Sequence, residues 1–289
     1  MQQELETEEL HFEASDGTRL AYYLRQQQPP SQCRALVLIL HGIAFHARPY
    51  KIVAQSVAVE GATFVAMGIR GHGQSSGTPG ELLSTARMVQ DISDWVEHLQ
   101  ATFIGVPTFL IAESMSGPYG TLYTLDHPGS VDGLVLIAPA TLPSWRQLVM
   151  SDSLNTRVSA ITKPFAPSIE LSGERLRMGS NSDEFPELRV RDPDAIQVVS
   201  PQYVLRIGEA IARLMDRLSM ATATPVLILH SEDDLRCPIS QAEQYYVVLR
   251  KLGKEAEFIR FPEENHELSR SGTPSHRVDR FELILDWFG

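Results

Sequence analysis

Short apolar runs recur along the chain, and each is bounded by turn residues or polar segments. Five of them are continuous and cover residues 35–40, 62–67, 107–112, 132–138 and 225–230. Runs of this length without alternation are typical of strands that are buried on both faces of a sheet. Residues 11–14 and 18–24 instead alternate around the turn sequence SDG, which predicts an antiparallel hairpin. A last strand is predicted over residues 255–262.

Segments with helical periodicity lie between these runs. In residues 84–101 the apolar side chains recur at the spacing of a helix with one buried face. They are Met88, Ile92, Trp95, Val96 and Leu99. The other predicted helices cover residues 49–60, 115–126, 240–252 and 276–288. Strands that alternate with helices predict an α/β fold, in which helices flank a mostly parallel eight-stranded sheet.

The alternation is interrupted between residues 141 and 223. This stretch holds clusters of proline, serine and acidic residues and contains no convincing buried strand. Near its end, an apolar stripe at helical spacing indicates a packed face, formed by Val204, Ile207, Ile211, Leu214 and Leu218. The sequence therefore predicts a core made of residues 1–140 and 224–289, with residues 141–223 inserted as a helical lid.

Composition and charge narrow the classes of partner. The chain has 289 residues, of which 43% are hydrophobic, and a net charge of −11. An acidic balance that is spread along the chain disfavours nucleic acid and anionic membrane surfaces as partners. No secretory signal and no apolar stretch long enough for stable membrane insertion is visible in the sequence. With two cysteines, Cys33 and Cys237, and no metal-binding spacing, we expect reduced thiols in a cytoplasmic protein, whose oligomeric state the sequence leaves open.

One strand-to-helix junction, FLIAESMSGPYG at residues 109–120, has the features of a nucleophile elbow. Such elbows usually read G-x-S-x-G, because the turn that presents the serine is strained and its neighbours must be small. Here Ser114 is the central serine, and Ala112 and Ser116 take the places of the two glycines. Ser116 is the poorer nucleophile candidate, since Pro118 suits the first turn of a helix that follows an elbow centred on Ser114.

A nucleophilic serine needs a general base and a carboxylate that orients the base. The strand at 225–230 leads into HSEDDLRCP, which offers Asp233 and Asp234 as the acid. The strand at 255–262 is followed by EENHELS, which offers His266 as the base. The order serine, acid, histidine, with each residue placed after a strand, matches the order that accompanies such elbows.

The developing oxyanion needs two hydrogen-bond donors, which we expect to be backbone amides. The loop HGIAFHARPY turns at Gly42, and this turn directs the amide of Ile43 toward the site. The amide of Met115 follows the candidate nucleophile at the start of a helix, where the helix dipole adds to its effect. His41 is expected to hold the loop through a hydrogen bond. This chemistry requires no metal and no organic cofactor.

The loop HGIAFHARPY together with RGHGQSSG at residues 70–77 resembles the monoacylglycerol lipase and lysophospholipase group of α/β-hydrolases. That group has an H-G-x-x-x-H loop, a G-H-G-x-S loop and an elbow close to G-H-S-M-G-G, whose positions residues 112–117 fill. RDPDAI at residues 191–196 also resembles the cap of that group. The resemblance covers nearly the whole chain and implies the α/β-hydrolase fold, with a small acyl ester as the substrate.

Residues 230–272 also resemble the catalytic domain of prolyl-oligopeptidase-type serine peptidases, in particular the acylaminoacyl peptidases. In both groups the acid lies three residues after the glycine or serine that follows the strand, which here selects Asp234 over Asp233. Both resemblances therefore imply one fold and one catalytic triad, made of Ser114, Asp234 and His266.

The sequence departs from the lipase pattern at several positions. The elbow lacks both outer glycines, Glu113 stands where the group usually has histidine, and Gly68 stands where it has an acid. Glu113 permits two interpretations, either a charge beside the nucleophile that shapes substrate choice or a side chain paired away from the site. Cys237 is interpreted as a packed thiol and not as a nucleophile.

Taken with the resemblance, these residues predict a serine hydrolase that cleaves a carboxylic ester through an acyl-enzyme intermediate. Three alternatives stay open. The same residues suit an acyl-peptide or amide hydrolase, and they suit a thioesterase or acyltransferase in a biosynthetic pathway. A non-catalytic homologue that binds a small ligand is the alternative from another class.

Overall fold

An eight-stranded sheet forms the centre of the computed structural model, which describes residues 8–25, 29–43, 45–50, 61–141, 169–171, 191–220, 223–262, 266 and 280–288. The strands are β1 (Glu8–Glu13), β2 (Arg19–Arg25), β3 (Ala35–Leu40), β4 (Ala62–Met67), β5 (Thr108–Glu113), β6 (Gly133–Ile137), β7 (Ile169–Glu170), β8 (Val198–Val199), β9 (Val226–Ser231) and β10 (Ala256–Phe261). The strand order in the sheet is β1-β2-β4-β3-β5-β6-β9-β10, and β7 pairs with β8 alone.

The pairing directions follow the sequence pattern. β1 and β2 form the predicted antiparallel hairpin, and β2 also runs antiparallel to β4. The other neighbours in the sheet are parallel. The prediction of a mostly parallel eight-stranded sheet is therefore confirmed, and the observed strand bounds differ from the predicted ones by at most three residues.

Five α-helices are described. They are α1 (Thr85–Thr102), α2 (Ser116–Asp126), α3 (Pro201–Arg217), α4 (Ile239–Lys251) and α5 (Arg280–Phe288). Of the helix predicted over residues 49–60, the structure describes only the end of a short 3-10 turn at Arg48–Tyr50, and residues 51–60 lie outside the described residues. Residues 276–279 of the last predicted helix lie outside them as well. No helix in these ranges is both long and apolar enough to cross a lipid bilayer.

Both faces of the sheet are covered, as the continuous apolar runs predict. Alternate residues of β3 point to opposite sides, so Leu36 and Leu38 join one hydrophobic cluster and Val37 and Ile39 join the other. The first cluster includes the predicted apolar face of α1 with the fully buried Trp95. Burial of each such side chain contributes about 1.5–3 kcal/mol, so the central strands are the most strongly fixed part of the fold.

The region predicted as a lid is described only in part. Residues 142–168 and 172–190 lie outside the described residues, so the inserted lid and its bounds stay a prediction. Within the described part, β7 and β8 are two residues long, which is too short for periodicity to predict. α3 carries four of the five residues of the predicted apolar stripe, and Leu218 lies in the short 3-10 turn that follows. The stripe packs into the same cluster as α1 and α2.

Helix α2 lies unusually close to the sheet, and glycine makes this approach possible. A Cβ atom at Gly120 would lie 2.8 Å from the Cβ of Ala112 on β5. A Cβ atom at Gly117 would lie 2.7 Å from the Cβ of Pro139, beyond the end of β6. The positions of the start of α2 and of the residue before it therefore depend on the absence of these two side chains.

We expect Gly120→Ala to lower the free energy of unfolding by about 1–3 kcal/mol, because the added methyl group must displace α2 from β5. Gly208→Ala is the matched control, since Gly208 is also helical but a Cβ there meets nothing within 4 Å. That substitution should raise the free energy of unfolding by about 0.5–1 kcal/mol through helix propensity alone. Urea unfolding followed by circular dichroism measures both, and equal effects of the two variants would contradict the close packing of α2.

Candidate active site

Three segments converge at the carboxyl edge of the sheet. Ser114 directly follows β5, Asp234 lies in the loop after β9, and His266 lies in the segment after β10. Because the carboxyl ends of parallel strands meet at one edge of a sheet, side chains that follow these strands are brought together. The sheet places β6 between β5 and β9, so the three residues come from separate parts of this edge.

A chain of hydrogen bonds joins these three residues. The distance from Ser114 Oγ to His266 Nε2 is 2.8 Å, and the distance from His266 Nδ1 to Asp234 Oδ2 is also 2.8 Å. An ionised carboxylate only accepts hydrogen bonds, so His266 Nδ1 carries a proton and donates it to Asp234. In the neutral ring Nε2 then accepts the hydrogen bond of the Ser114 hydroxyl. Each residue is at most 6% exposed, which keeps water from competing for these bonds.

The Asp234 carboxylate is surrounded by N–H donors. Its Oδ1 atom accepts from the backbone amides of Arg236 and Cys237, both at 2.8 Å. Its Oδ2 atom lies 3.1 Å from Nε2 of His230, in addition to the contact with His266. Burial alone raises the pKa of Asp234, but attraction to His266 and the hydrogen bonds from His230 and His266 outweigh it and hold this pKa well below its usual range. The carboxyl is therefore ionised throughout the neutral range.

Two neighbours of Asp234 have different surroundings. Asp233, the other acidic candidate, is exposed, and its backbone amide donates to Ser231 Oγ at 3.2 Å in a local turn. The thiol of Cys237 is buried, and burial together with the charge of Asp234 raises the pKa of this thiol. A protonated thiol is a poor nucleophile, so the geometry agrees with the interpretation of Cys237 as a packed side chain.

The backbone of Ser114 adopts the conformation that a nucleophile elbow requires. Its φ is +51°, in the left-handed region that residues other than glycine rarely occupy. Its amide donates to the carbonyl of Ile137 at 2.9 Å, and its carbonyl accepts from the amides of Gly117 and Ala140, both at 3.0 Å. These bonds hold the strained turn, so the absence of the two usual glycines does not prevent the elbow from forming.

Ser116 has a role that the sequence did not indicate. Its hydroxyl donates to the carbonyl of His41 at 2.6 Å and so ties the elbow to the loop after β3. A glycine at this position could not make the bond. The residue that departs from the usual elbow pattern therefore adds a contact between the two segments that carry the predicted oxyanion donors.

The loop after β3 lies beside the elbow, and a buried histidine fixes its direction. A Cβ atom at Gly42 would lie 3.5 Å from the Cβ of Ser114. His41 Nε2 accepts from the amide of Ile69 at 3.1 Å, so its Nδ1 carries the proton and donates to the carbonyl of Gly42 at 2.9 Å. In a trans peptide the next amide points the opposite way, so fixing the carbonyl of Gly42 also fixes the amide of Ile43.

Two departures from the lipase pattern have local explanations. Glu113 is 3% exposed and accepts a hydrogen bond from the hydroxyl of Tyr50. Its partner Tyr50 belongs to the second of the two hydrophobic clusters. At Gly68 a Cβ atom would lie 2.8 Å from Ser75 Oγ, so the chain has no room there for an acidic side chain.

A further contact to the elbow comes from α3. The hydroxyl of the fully buried Tyr203 lies 3.1 Å from the sulfur of Met115 and 2.9 Å from His72 Nε2. The predicted apolar stripe of α3 omits Tyr203, although this residue lies one turn before Ile207 on the same face. Extending the helical spacing toward the N-terminus would have included it.

Comparisons with known sequences agree on one family. The profile of the family described as serine aminopeptidase, S33, matches residues 31–270. The chain is 30% identical to the monoglyceride lipase of Homo sapiens over 278 residues, which cover 96% of this chain and 89% of that lipase. It is also 48% identical to the uncharacterized peptidase YuxL of Bacillus subtilis, but over 84 residues that span 28% of this chain and 13% of that peptidase.

Solved structures show the same fold. A soluble variant of monoglyceride lipase from Saccharomyces cerevisiae matches with a TM-score of 0.79 at 18% identity, over 98% of this chain and 94% of that one. The acylaminoacyl peptidase of Pyrococcus horikoshii matches with a TM-score of 0.64 at 20% identity, over 98% of this chain and 41% of that one. The α/β-hydrolase fold that both resemblances implied is therefore confirmed. The chain is a hydrolase that belongs to the serine aminopeptidase, S33, family of α/β-hydrolases, in the group that includes the monoglyceride lipases.

Proposed function

We propose that this hydrolase cleaves the ester bond of a monoacylglycerol or a similar small acyl ester, with Ser114 as the nucleophile. The observation that carries the proposal is the chain of hydrogen bonds from Ser114 through His266 to Asp234, which starts at a residue with left-handed backbone. The similarity to the human monoglyceride lipase over most of both chains supports the choice of substrate.

In the first half of the proposed reaction, Ser114 Oγ attacks the acyl carbonyl carbon. His266 Nε2, 2.8 Å away, takes the hydroxyl proton as the new C–O bond forms. Asp234 stays ionised and stabilises the imidazolium that results. When the tetrahedral intermediate collapses, His266 gives this proton to the alcohol oxygen, and the alcohol leaves.

The negative charge on the carbonyl oxygen requires donors that are already in place. We assign this role to the backbone amides of Ile43 and Met115, because the loop and the elbow that carry them are joined through Ser116 and His41. Loss of one such donor typically lowers the rate about 100- to 1,000-fold. In the second half, water attacks the acyl-enzyme while His266 takes its proton. His266 then returns this proton to Ser114 Oγ as the carboxylic acid leaves.

Amide hydrolysis is the second candidate function. It is favoured by the description of the family as aminopeptidases and by the 48% identity to a peptidase over 84 residues. The nucleophile, base and acid would be the same, and His266 would then protonate a leaving amine. The short span of the peptidase match places this candidate below ester hydrolysis.

We expect the purified protein to hydrolyse p-nitrophenyl esters and Ser114→Ala to lower kcat/KM by about 10⁴-fold or more, because no other group would form the acyl-enzyme. Ser116→Ala is the matched control, since it removes the neighbouring hydroxyl, and with it one hydrogen bond to His41. The kcat/KM of Ser116→Ala should fall about tenfold or less. Hydrolysis of a series of esters from acetate to palmitate measures both losses and also ranks the acyl chains. A larger loss of kcat/KM in Ser116→Ala than in Ser114→Ala would overturn the assignment of Ser114 as the nucleophile.

The leaving group separates the two candidate functions. We expect turnover of the p-nitrophenyl ester and at most weak turnover of an acyl p-nitroanilide with the same acyl chain. A preference for the anilide would favour the amide hydrolase. Labelling of Ser114 by a fluorophosphonate reports on the nucleophile independently of both substrates, and an unlabelled wild-type protein would indicate a non-catalytic, ligand-binding homologue.

On the acid side of the pH profile, the fall of kcat/KM should follow the uptake of a single proton by the enzyme. Asp234 has a lowered pKa, so its charge is lost only far below neutral pH, and its protonation adds nothing to the loss of activity in the working range. Protonated His266 cannot accept the proton of Ser114, so kcat/KM should fall with unit slope on a logarithmic plot. Steady-state rates between about pH 5 and pH 9 check this, and a slope of two would contradict the assignment of Asp234 as permanently ionised.

A further inference from the structure

We propose that His230 is a positioning residue for Asp234, which it holds in the orientation that His266 requires. His230 is the fifth residue of β9 and is completely buried. It does not belong to the serine, acid and base that the proposed reaction uses, and this inference rests on that proposed function.

The hydrogen-bond partners of His230 define its protonation. Its Nε2 atom lies 2.6 Å from the carbonyl oxygen of Cys237 and 3.1 Å from Asp234 Oδ2. Both oxygens only accept, so Nε2 carries the proton and is shared between them. Among the described residues, Nδ1 of His230 has no hydrogen-bond partner. A second proton on this ring would bury an unpaired N–H group, so His230 acts as a neutral donor.

The Nε2–H group of His230 links the end of β9 to two residues of the loop that carries the acid, Asp234 and Cys237. The bonds run from His230 to Asp234 and to Cys237, while the amide of Cys237 donates back to Asp234 Oδ1 at 2.8 Å. The end of β9 thus fixes both the carboxylate and the backbone that follows it. Each oxygen of Asp234 has two N–H donors, and Oδ2 is shared between His230 and His266.

Two consequences follow for the reaction. Without His230, the carboxylate loses one of the contacts that fix its plane, so its bond to His266 Nδ1 is less well directed. Oδ2 also becomes a stronger acceptor toward His266, which then holds its extra proton more tightly. Among the described residues, Arg236 and the Cys237 thiol are titratable groups that also act on this loop, and the substitutions below leave both unchanged.

A pair of amide substitutions tests the role. In His230→Gln the side-chain nitrogen can occupy the place of Nε2, whereas in His230→Asn the amide is too short to reach Asp234. We expect kcat for an ester to fall about 10- to 100-fold in the Asn variant, the loss of one charge-assisted hydrogen bond. KM should stay within about twofold, because the buried His230 lies behind Asp234, and the Gln variant should recover most of the lost rate.

A readout that needs no turnover separates this inference from the proposed function. In the resting protein, NMR titration of the His266 ring should show its proton uptake moved to higher pH in His230→Asn and restored in His230→Gln. An Asn variant with wild-type kcat and wild-type titration would overturn the role of His230. Absence of ester turnover in the wild type, with the titration moved as expected, would overturn only the proposed reaction.

If the variants do not fold, the inference can still be tested on the wild-type protein. Nitrogen-15 NMR of labelled histidine distinguishes the two neutral tautomers of His230. The geometry requires the proton on Nε2. A neutral ring with its proton on Nδ1 would leave no donor for Asp234 and would overturn the proposal.

Discussion

The left-handed backbone of Ser114 is the constraint on which the other features of the site depend. A residue with a side chain loses about 1–2 kcal/mol in this conformation, so its neighbours must stabilise it. Three backbone hydrogen bonds do so, and they connect Ser114 to Ile137 at the end of β6, to Ala140 beyond it and to the first turn of α2. The neighbouring residue Ala138 is also left-handed, with φ of +44°, and its amide donates to Leu229 on β9. β6 carries none of the proposed reactive side chains, yet it links the serine on one side to the strand of the acid on the other.

Hydrogen bonds among buried polar groups are the second feature that stabilises the site. A buried donor or acceptor without a partner costs about 1–3 kcal/mol, so a polar edge on an apolar sheet is stable only when its members bind one another. His41 and His72 meet this requirement by using both ring nitrogens. His41 connects Gly42 with Ile69, and His72 lies between the carbonyl of Arg70 and the hydroxyl of Tyr203. These rings are rigid connectors, which explains why segments far apart in sequence keep a fixed geometry at the site.

The sequence predicted the parts of the fold that depend on local patterns. Continuous apolar runs predicted the parallel strands because burial on both faces removes the polar positions, and small residues around Ser114 predicted the elbow because the turn restricts side-chain size. Contacts between distant segments were not predictable in this way. The bond from Ser116 to His41 spans 75 residues, and no local pattern distinguishes a serine that makes it from one that does not. The residues by themselves also left Asp233 and Asp234 equal, and the resemblance to the two hydrolase groups was needed to select Asp234. Neighbouring residues in a turn point in different directions, so local pattern does not tell which of the two meets His266.

Helix α3, which lies in the described part of the region between residues 141 and 223, packs against the core. Its residues Tyr203, Ile207 and Ala210 are fully buried in the cluster that contains α1 and α2, and Ser200 before it donates its amide to the carbonyl of Gly80. Because Tyr203 contacts the sulfur of Met115, any shift of α3 against the sheet is transmitted to the residue whose amide we assign to the oxyanion. A displacement of this helix would therefore change the position of a proposed oxyanion donor. Tyr203 therefore serves both the packing of α3 and the support of a residue that we propose as an oxyanion donor, which shows how a helix outside the triad contributes to the geometry of the site.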